Sequence, residues 1–545
     1  MPFDKLRFIN CLDPPLNLGL AQLKLAQFHC PRETESTADT GGDRALFFLL
    51  ALAATAVLKD ENLSKVMMGI EICGRIDKVN GKGLSYKEFV ERYMEKNQPV
   101  VLTGLMDDWK ACSDWVDENG QPNLGFFSTH FGKSRVQVAD CSSREFTDQK
   151  RVEMSVSEFI DQWCKEPIQE RGLTSNNRLT DKSVLYLKDW HFVKEYPNYT
   201  AYSTPHFVCD DWLNLYLDSY RMHRDPDSYQ DKDEICCSDY RFVYMGAKGS
   251  WTPLHADVFR SYSWSANVCG KKQWFLLPPS QSHLVFDRNK KACIYNIFDD
   301  ICENLFPGFK KATWLECTQE QNEIIFVPSG WYHQVHNLDD TVSINHNWFN
   351  SYNLCWVLDL MSQDYNEAKE YIEDIRDICD DFEGLCQRNL AANTGMNFYD
   401  FFIFLARFSL ANLVVLDTLA RDTENIAGSL SPMVQQLAQN LASIQKIALK
   451  MKFLECFSED QGFVLDLGET HKDPKFSELC YSLIQTCGSI HKQQILSFCP
   501  KTIATHESRT LIIIQNFCAG VSSPEDLVKF IDMVLTEHTN LESPE

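Results

Sequence analysis

The chain has 545 residues, 44% hydrophobic and 23% charged, the proportions of a globular protein with apolar material for more than one core, which excludes disorder of the whole chain. At roughly 150 residues per domain the length suggests about three domains. Fifty-two basic against 76 acidic residues leave a net charge of −24 with no concentrated basic stripe, which argues against nucleic acid as the main partner and fits a solubility role.

Residues 1–75 show no clear plan and read as a loosely attached extension. Pro14-Pro15 and a polar stretch at 31–42 precede an apolar run at 45–58. That run is shorter than the about 20 residues a membrane span needs. It reads as a buried or partner-seeking helix, with a targeting remnant as the alternative. Order is expected from Ile76. Ser85 and Glu88 form a capping-box pattern, and Phe89, Val90 and Tyr93 supply the apolar face of the helix behind it. P-V-V-L at 99–102 predicts a short strand. A second capping box, Ser155 to Glu158, opens a helix with Phe159, Ile160 and Trp163. Residues 76–180 thus read as an N-terminal α/β part.

From about Val184 the pattern becomes short β-branched and aromatic runs bounded by Gly, Pro and Asp: 184–187, 240–245, 262–268, 273–277, 323–327 and 341–348. In the last, Val342, Ile344, His346 and Trp348 share one face, and Ser343, Asn345 and Asn347 the other. Such strands predict a sandwich or jelly roll over 181–352. The acidic stretch 218–239 reads as an exposed loop. Residues 353–545 are helical in period. Ser431-Pro432 marks a helix start, and the very apolar 398–416 reads as a core or dimer-interface helix rather than a membrane span.

Twenty-one scattered cysteines, none in C-x-x-C spacing, with no secretory signal, favour reduced thiols in the cytoplasm, with the nucleus as the alternative.

Two motifs carry chemistry. In H-A-D at 255–257 an extended backbone puts His255 and Asp257 on one face, so both can reach one metal ion. In F-V-P-S-G-W-Y-H at 326–333 a strand ends in a turn and His333 opens the next. Two histidines and one carboxylate from separate strands form the facial triad of non-haem Fe(II) oxygenases, which leaves adjacent positions open. Zinc is more often closed by a fourth ligand, and none stands at an obvious spacing. G-K-K at 270–272 precedes a strand. A lysine at the mouth of an apolar barrel can pair with the far carboxylate of a dicarboxylic acid; two solvated turn lysines are the plainer alternative.

These pieces resemble the jumonji-C family of 2-oxoglutarate oxygenases. The resemblance rests on T-P-L-H-A-D at 252–257, G-K-K at 270–272, V-P-S-G-W-Y-H at 327–333, and N-Q-P-V-V-L-T-G-L at 97–105 with Trp109. Y-L-K-D-W-H at 186–191 and the longer stretches 255–270 and 333–348 resemble a branch that hydroxylates lysyl side chains of the eukaryotic translation termination (release) factor. The resemblance runs from about residue 76 into the helical C-terminal part and leaves out 1–75 and 218–239. It implies an α+β fold: a double-stranded β-helix (jelly-roll, cupin-like) core with an N-terminal α/β cap and a helical C-terminal region. It implies His255, Asp257 and His333 as Fe(II) ligands at the catalytic centre, with 2-oxoglutarate and O2 as cosubstrates. Lys272 matches the lysine that binds the 5-carboxylate of 2-oxoglutarate, with Lys271 as the alternative. Tyr186 and Thr252 match hydroxyls near that carboxylate, and Asn345 a polar cosubstrate contact. The sequence departs from the family at Ser261, where many relatives carry asparagine, and in a longer spacing from His255 to Lys272.

The expected partner is a protein substrate, the release factor, with no nucleic acid and no membrane, and with a homodimer through the helical region as a further option. The rival readings are an N-methyl-lysine demethylase of the same oxygenase class and a non-catalytic cupin-like binding module. His-x-Asp rather than His-x-Glu, and the lack of zinc-finger spacing, favour stable hydroxylation. His336, His346 and the tryptophans 251, 264, 274, 331 and 348 read as structural. Arg260 and Tyr262 are weaker candidates for a substrate-facing role.

Overall fold

The computed structural model describes residues 69–165, 183–222, 239–423, 432–458, 465, 473–491 and 509–540. The apolar run at 45–58 and Ser431 lie outside them.

The strands are β1 (Glu71–Arg75), β2 (Lys78–Asn80), β3 (Val100–Thr103), β4 (Arg135–Glu145), β5 (Asp148–Ser155), β6 (Leu185–Trp190) and β7 (Arg241–Gly246), followed by β8 (Trp251–His255), β9 (Tyr262–Cys269), β10 (Lys272–Leu277), β11 (Thr313–Gln319), β12 (Glu323–Val327), β13 (Tyr332–Asn337) and β14 (Thr341–Trp348). They form two sheets, ordered β1-β11-β10-β13-β8 and β2-β3-β12-β9-β14-β7-β6-β4-β5. Strands β7 to β14 pass back and forth between the sheets, except that β10 and β11 form a hairpin within the smaller one, the winding of a jelly roll. All pairings are antiparallel except β1 with β11 and β2 with β3. The expected α+β, cupin-like fold is present. Strand β1 falls inside the stretch read as an extension: Glu71–Arg75 already pairs with β11. Its run of charged and small residues carries no strand pattern.

Alternation along each strand sorts the side chains. Outward residues of the larger sheet, among them Val243, Met245, Tyr262, Trp264, Ala266, Ile324, Phe326, Val342, Ile344 and Trp348, pack under helices α1 (Leu124–Phe131) and α2 (Val156–Cys164). Both expected capping boxes form; Ser155 Oγ, for example, accepts the Glu158 N–H at 3.2 Å. Inward residues Val101, Trp274, Leu276, Ile325, Val327 and Val335 fill part of the space between the sheets.

Helix α3 (Trp212–Leu217) precedes the barrel, and from Leu354 onward every described element is helical: α4 (Leu354–Tyr371), α5 (Phe382–Thr394), α6 (Phe398–Thr423), α7 (Pro432–Met451), α8 (Pro474–His491), α9 (Arg509–Gly520) and α10 (Pro524–Asn540). Helix α6 is long and apolar enough to cross a membrane, but 78% of its most apolar window is buried inside the protein, in a core shared with its helical neighbours. Its burial makes it a core helix. The stretch read as an exposed loop at 218–239 is anchored at both described ends. Asp218 pairs with Arg241, and Asp239 is fully buried against His191 and Arg241. Residues 223–238 lie outside the described residues.

Candidate metal and cosubstrate site

Strands β8 and β13 lie side by side in the smaller sheet with His255 and His333 directly paired, their ring centroids 4.3 Å apart. Asp257 follows β8 immediately. One ligand atom from each of His255, Asp257 and His333 lies within 4.8 Å of the other two, and among the described residues no further His, Cys, Asp or Glu joins the group. Each imidazole is oriented through Nδ1, facing the Pro253 carbonyl at 2.8 Å for His255 and the Trp331 carbonyl at 3.0 Å for His333. A carbonyl only accepts, so Nδ1 carries the proton and Nε2 is left free as a ligand. Ser263 Oγ donates to Asp257 Oδ2 at 2.7 Å.

The electrostatics suit a cation. Burial and the neighbouring His333 push the His255 imidazole down to about 3, so it is neutral at ordinary pH. Burial works to raise Asp257, but the two imidazoles and the Ser263 and Asn347 side chains hold it below the usual carboxylate range. A carboxylate and two imidazoles, with no fourth protein ligand among the described residues, are the donor set of a ferrous facial site.

The second half of the site spans the barrel. Lys272 opens β10 in the smaller sheet, points inward and is buried. Its ammonium donates to Ser343 Oγ at 2.7 Å and to Tyr186 OH at 3.3 Å, both from the larger sheet. No carboxylate pairs with it among the described residues, and burial pulls its pKa from 10.5 to about 7. A buried ammonium with neutral partners only is a site made for an anion that arrives from outside. Lys271 instead forms a surface ion pair with Glu320 at 3.1 Å. Tyr186 lies flat on β7, where a Cβ on Gly246 would come within 2.6 Å of its ring, so only glycine lets the phenol reach Lys272.

Thr252 pairs with Val335, which faces the interior. On a regular strand Thr252 and His255, three residues apart, would face opposite ways. An extra residue in β8 between the two pairings restores both to the inner side. Asn345 lies half-buried on the inward face of β14 between Ser343 and Asn347, cross-strand from Ser265. Ser263, Ser343 and Asn347 were not singled out as site residues. Their signal was the alternation of β9 and β14, whose polar positions line one face.

The remaining assignments divide. His336 faces outward, stacked on Trp251 with centroids 5.5 Å apart, and His346 is buried with Nε2 facing Tyr202 OH at 2.5 Å, so both are structural. Trp274 and Trp331 bond Gln319 Oε1 and the Asn97 carbonyl. Tyr262 does not face a substrate: it is fully buried and donates to the Met94 carbonyl at 2.7 Å. Arg260 is engaged by Asp364 of α4.

Comparison with known proteins agrees with this geometry. Residues 86–354 match the family model of a cupin-like domain. The chain is 57% identical over 469 residues to arginine-specific demethylase JMJ20 of Arabidopsis thaliana, covering 85% of this chain and 97% of that protein. It is 38% identical to the 2-oxoglutarate and iron-dependent oxygenase JMJD4 of Danio rerio, covering 63% of this chain and 76% of the relative. It is 37% identical to JMJD4 of Homo sapiens, covering 64% and 79%. The chain belongs to the cupin-like JmjC family of 2-oxoglutarate- and iron-dependent oxygenases. The residues present fit the family's cofactors: His255, Asp257 and His333 would hold Fe(II), and Lys272, with Tyr186 and Ser343 beside it, would take the far carboxylate of 2-oxoglutarate.

Proposed function

We propose that this oxygenase hydroxylates a carbon of a lysyl side chain in a protein, with the translation termination release factor as its substrate. The observation that carries the oxygenase chemistry is the unpaired buried Lys272 across the barrel from an open three-ligand cluster. Bound iron and 2-oxoglutarate would activate O2, which supplies the oxidising power and the oxygen atom for C–H hydroxylation as 2-oxoglutarate is converted to succinate and CO2. The chain's own part is placement. His255 and His333, locked through Nδ1, and Asp257, held by Ser263, fix where the metal sits. Lys272 anchors one end of the keto acid and neutralises its charge. The apolar interior around Trp274, Leu276 and Val335 keeps water from the oxidant.

The choice of a lysyl carbon is supported by the motif resemblance at 186–191, 255–270 and 333–348 and by Asp257 as the carboxylate. A second reading, removal of a methyl group from methyl-arginine, is favoured by the 57% identity to a relative described as an arginine-specific demethylase. Both acts begin with hydroxylation of a C–H on a basic side chain. Under the first reading the enzyme works in the cytoplasm.

The test is aerobic incubation of the protein with Fe(II), 2-oxoglutarate and either the recombinant release factor or arginine-methylated peptides, read by peptide mass spectrometry. Gain of one retained oxygen on a lysine of the factor supports the first reading. Loss of a methyl group with release of formaldehyde supports the second and overturns the first. His255→Ala abolishes either product.

A further inference from the structure

The backbone that follows the carboxylate ligand is held from outside the barrel. After Asp257 the chain makes one 3-10 turn, Val258–Arg260, with the Arg260 N–H donating to the Asp257 carbonyl and the Ser261 N–H to the Val258 carbonyl, both at 3.2 Å. Two consecutive residues in this turn, neither of them glycine, take left-handed conformations, Phe259 at φ 57° and Arg260 at φ 51°. Side chains with a Cβ avoid that region, so two in a row persist only where the surroundings impose them.

Here the surroundings are the helical C-terminal region. Val258 and Phe259 are buried in the core that the helices build, and the Phe259 ring meets Tyr240 edge-on with centroids 4.7 Å apart. Gly395, left-handed at φ 96° at the end of α5, sits so close that a Cβ there would lie 2.8 Å from both Phe259 and Val258 side-chain atoms. Arg260 crosses to α4 and grips Asp364 with two parallel bonds, Nε to Oδ2 and Nη2 to Oδ1, each 2.9 Å. Both side chains are largely buried, at 16% and 12% exposure, so the pair is shielded from salt and geometrically specific.

We propose that Arg260, Asp364 and Gly395 are positioning residues for the metal site. The helical region sets the turn after Asp257, and through that turn the reach and angle of the ligand carboxylate. On this view the helical region is part of the iron centre and not an appendage to the barrel. The inference rests on the His255–Asp257–His333 site and is independent of which side chain the enzyme modifies.

The test measures Mn(II) affinity by electron paramagnetic resonance, without 2-oxoglutarate or substrate, at a temperature where circular dichroism shows each variant folded. Asp364→Asn removes the charge but keeps the shape, and Gly395→Ala pushes on Phe259 from the other side. Each is expected to weaken Mn(II) binding by about tenfold, the loss typical of disturbing groups that orient metal ligands. Asp359→Asn is the control: Asp359 lies on the same helix as Asp364, but it is exposed and paired with Lys450 of α7 rather than with the turn, and Mn(II) binding stays unchanged. Should Asp364→Asn not fold, Arg260→Lys, which keeps the charge and loses the two-pronged grip, takes its place. Unchanged Mn(II) affinity in a folded, less heat-stable variant makes the ion pair merely structural and overturns the proposal, as does equal weakening in the Asp359→Asn control.

Discussion

Replacing Lys272 with methionine, which is similar in length, separates two opposing effects of one buried charge. Lys272 is 2% exposed, has only hydroxyl partners and titrates at about 7 instead of 10.5 because of burial. The sign follows from proton linkage. Below about pH 7 the folded and unfolded chains both hold the proton, and the folded chain bears the full burial cost. Between about 7 and 10 the folded chain sheds the proton while the unfolded chain keeps it, so stability rises with pH. A drop of three to four pH units amounts to about 4–5 kcal/mol. Lys272→Met is therefore expected to stabilise the protein by a few kcal/mol at neutral pH without 2-oxoglutarate, and to flatten the alkaline rise. With 2-oxoglutarate the sign reverses. A carboxylate buried without its cation costs about 3–5 kcal/mol, which weakens cosubstrate binding by roughly two to three and a half orders of magnitude. Urea unfolding at neutral and alkaline pH, with titration calorimetry of 2-oxoglutarate in the presence of Mn(II), measures both. The reasoning fails if the variant unfolds more easily without 2-oxoglutarate, or if its affinity falls by less than about tenfold.

Tyr186→Phe removes one hydroxyl beside the ammonium and is expected to cost about 0.5–1.5 kcal/mol in 2-oxoglutarate affinity, a roughly two- to tenfold loss by calorimetry; no change would place the phenol outside the anion site. Ser263→Ala frees Asp257 Oδ2 and is expected to weaken Mn(II) binding by about 10–100-fold without unfolding the protein. Because Lys272 titrates at about 7 in the free protein, a carboxylate bound at about pH 8 draws the proton back, so binding takes up a proton. Calorimetry in two buffers of different ionisation enthalpy reads this uptake, and buffer-independent heats would contradict it.

What was legible in the sequence was what short-range pattern encodes. The strands at 241–246, 262–269, 272–277, 323–327 and 341–348, the two capping boxes, and the helical character beyond Leu354 follow from residue type and period. The three clustered residues His255, Asp257 and His333 were legible because His-x-Asp and the histidine after V-P-S-G-W-Y are local motifs. Strands β1, β4, β5 and β11 were not singled out, because charged and polar residues break their alternation and their order comes from pairing with neighbours. Nor could local pattern give contacts such as Lys272 with Ser343 or Arg260 with Asp364, which join residues 71 and 104 positions apart.

The polar face of β14 shows why the site resisted reading more than the fold did. In an open antiparallel sheet the face carrying Ser343, Asn345 and Asn347 would turn to water, and the face carrying Val342, Ile344 and Trp348 would be the core. In this chain both faces are buried. The apolar one packs under the N-terminal helices, and the polar one turns into the closed barrel. A buried polar strand face is costly unless something gives it partners. Lys272 meets Ser343, Asn347 reaches Ser261 at 3.2 Å, and Ser265 Oγ, buried cross-strand from Asn345, has no hydrogen-bond partner among the described residues. Polar groups kept inside a barrel that could have been filled with valine and leucine mark space fit for something other than protein, and here that space runs from Lys272 towards His255, Asp257 and His333.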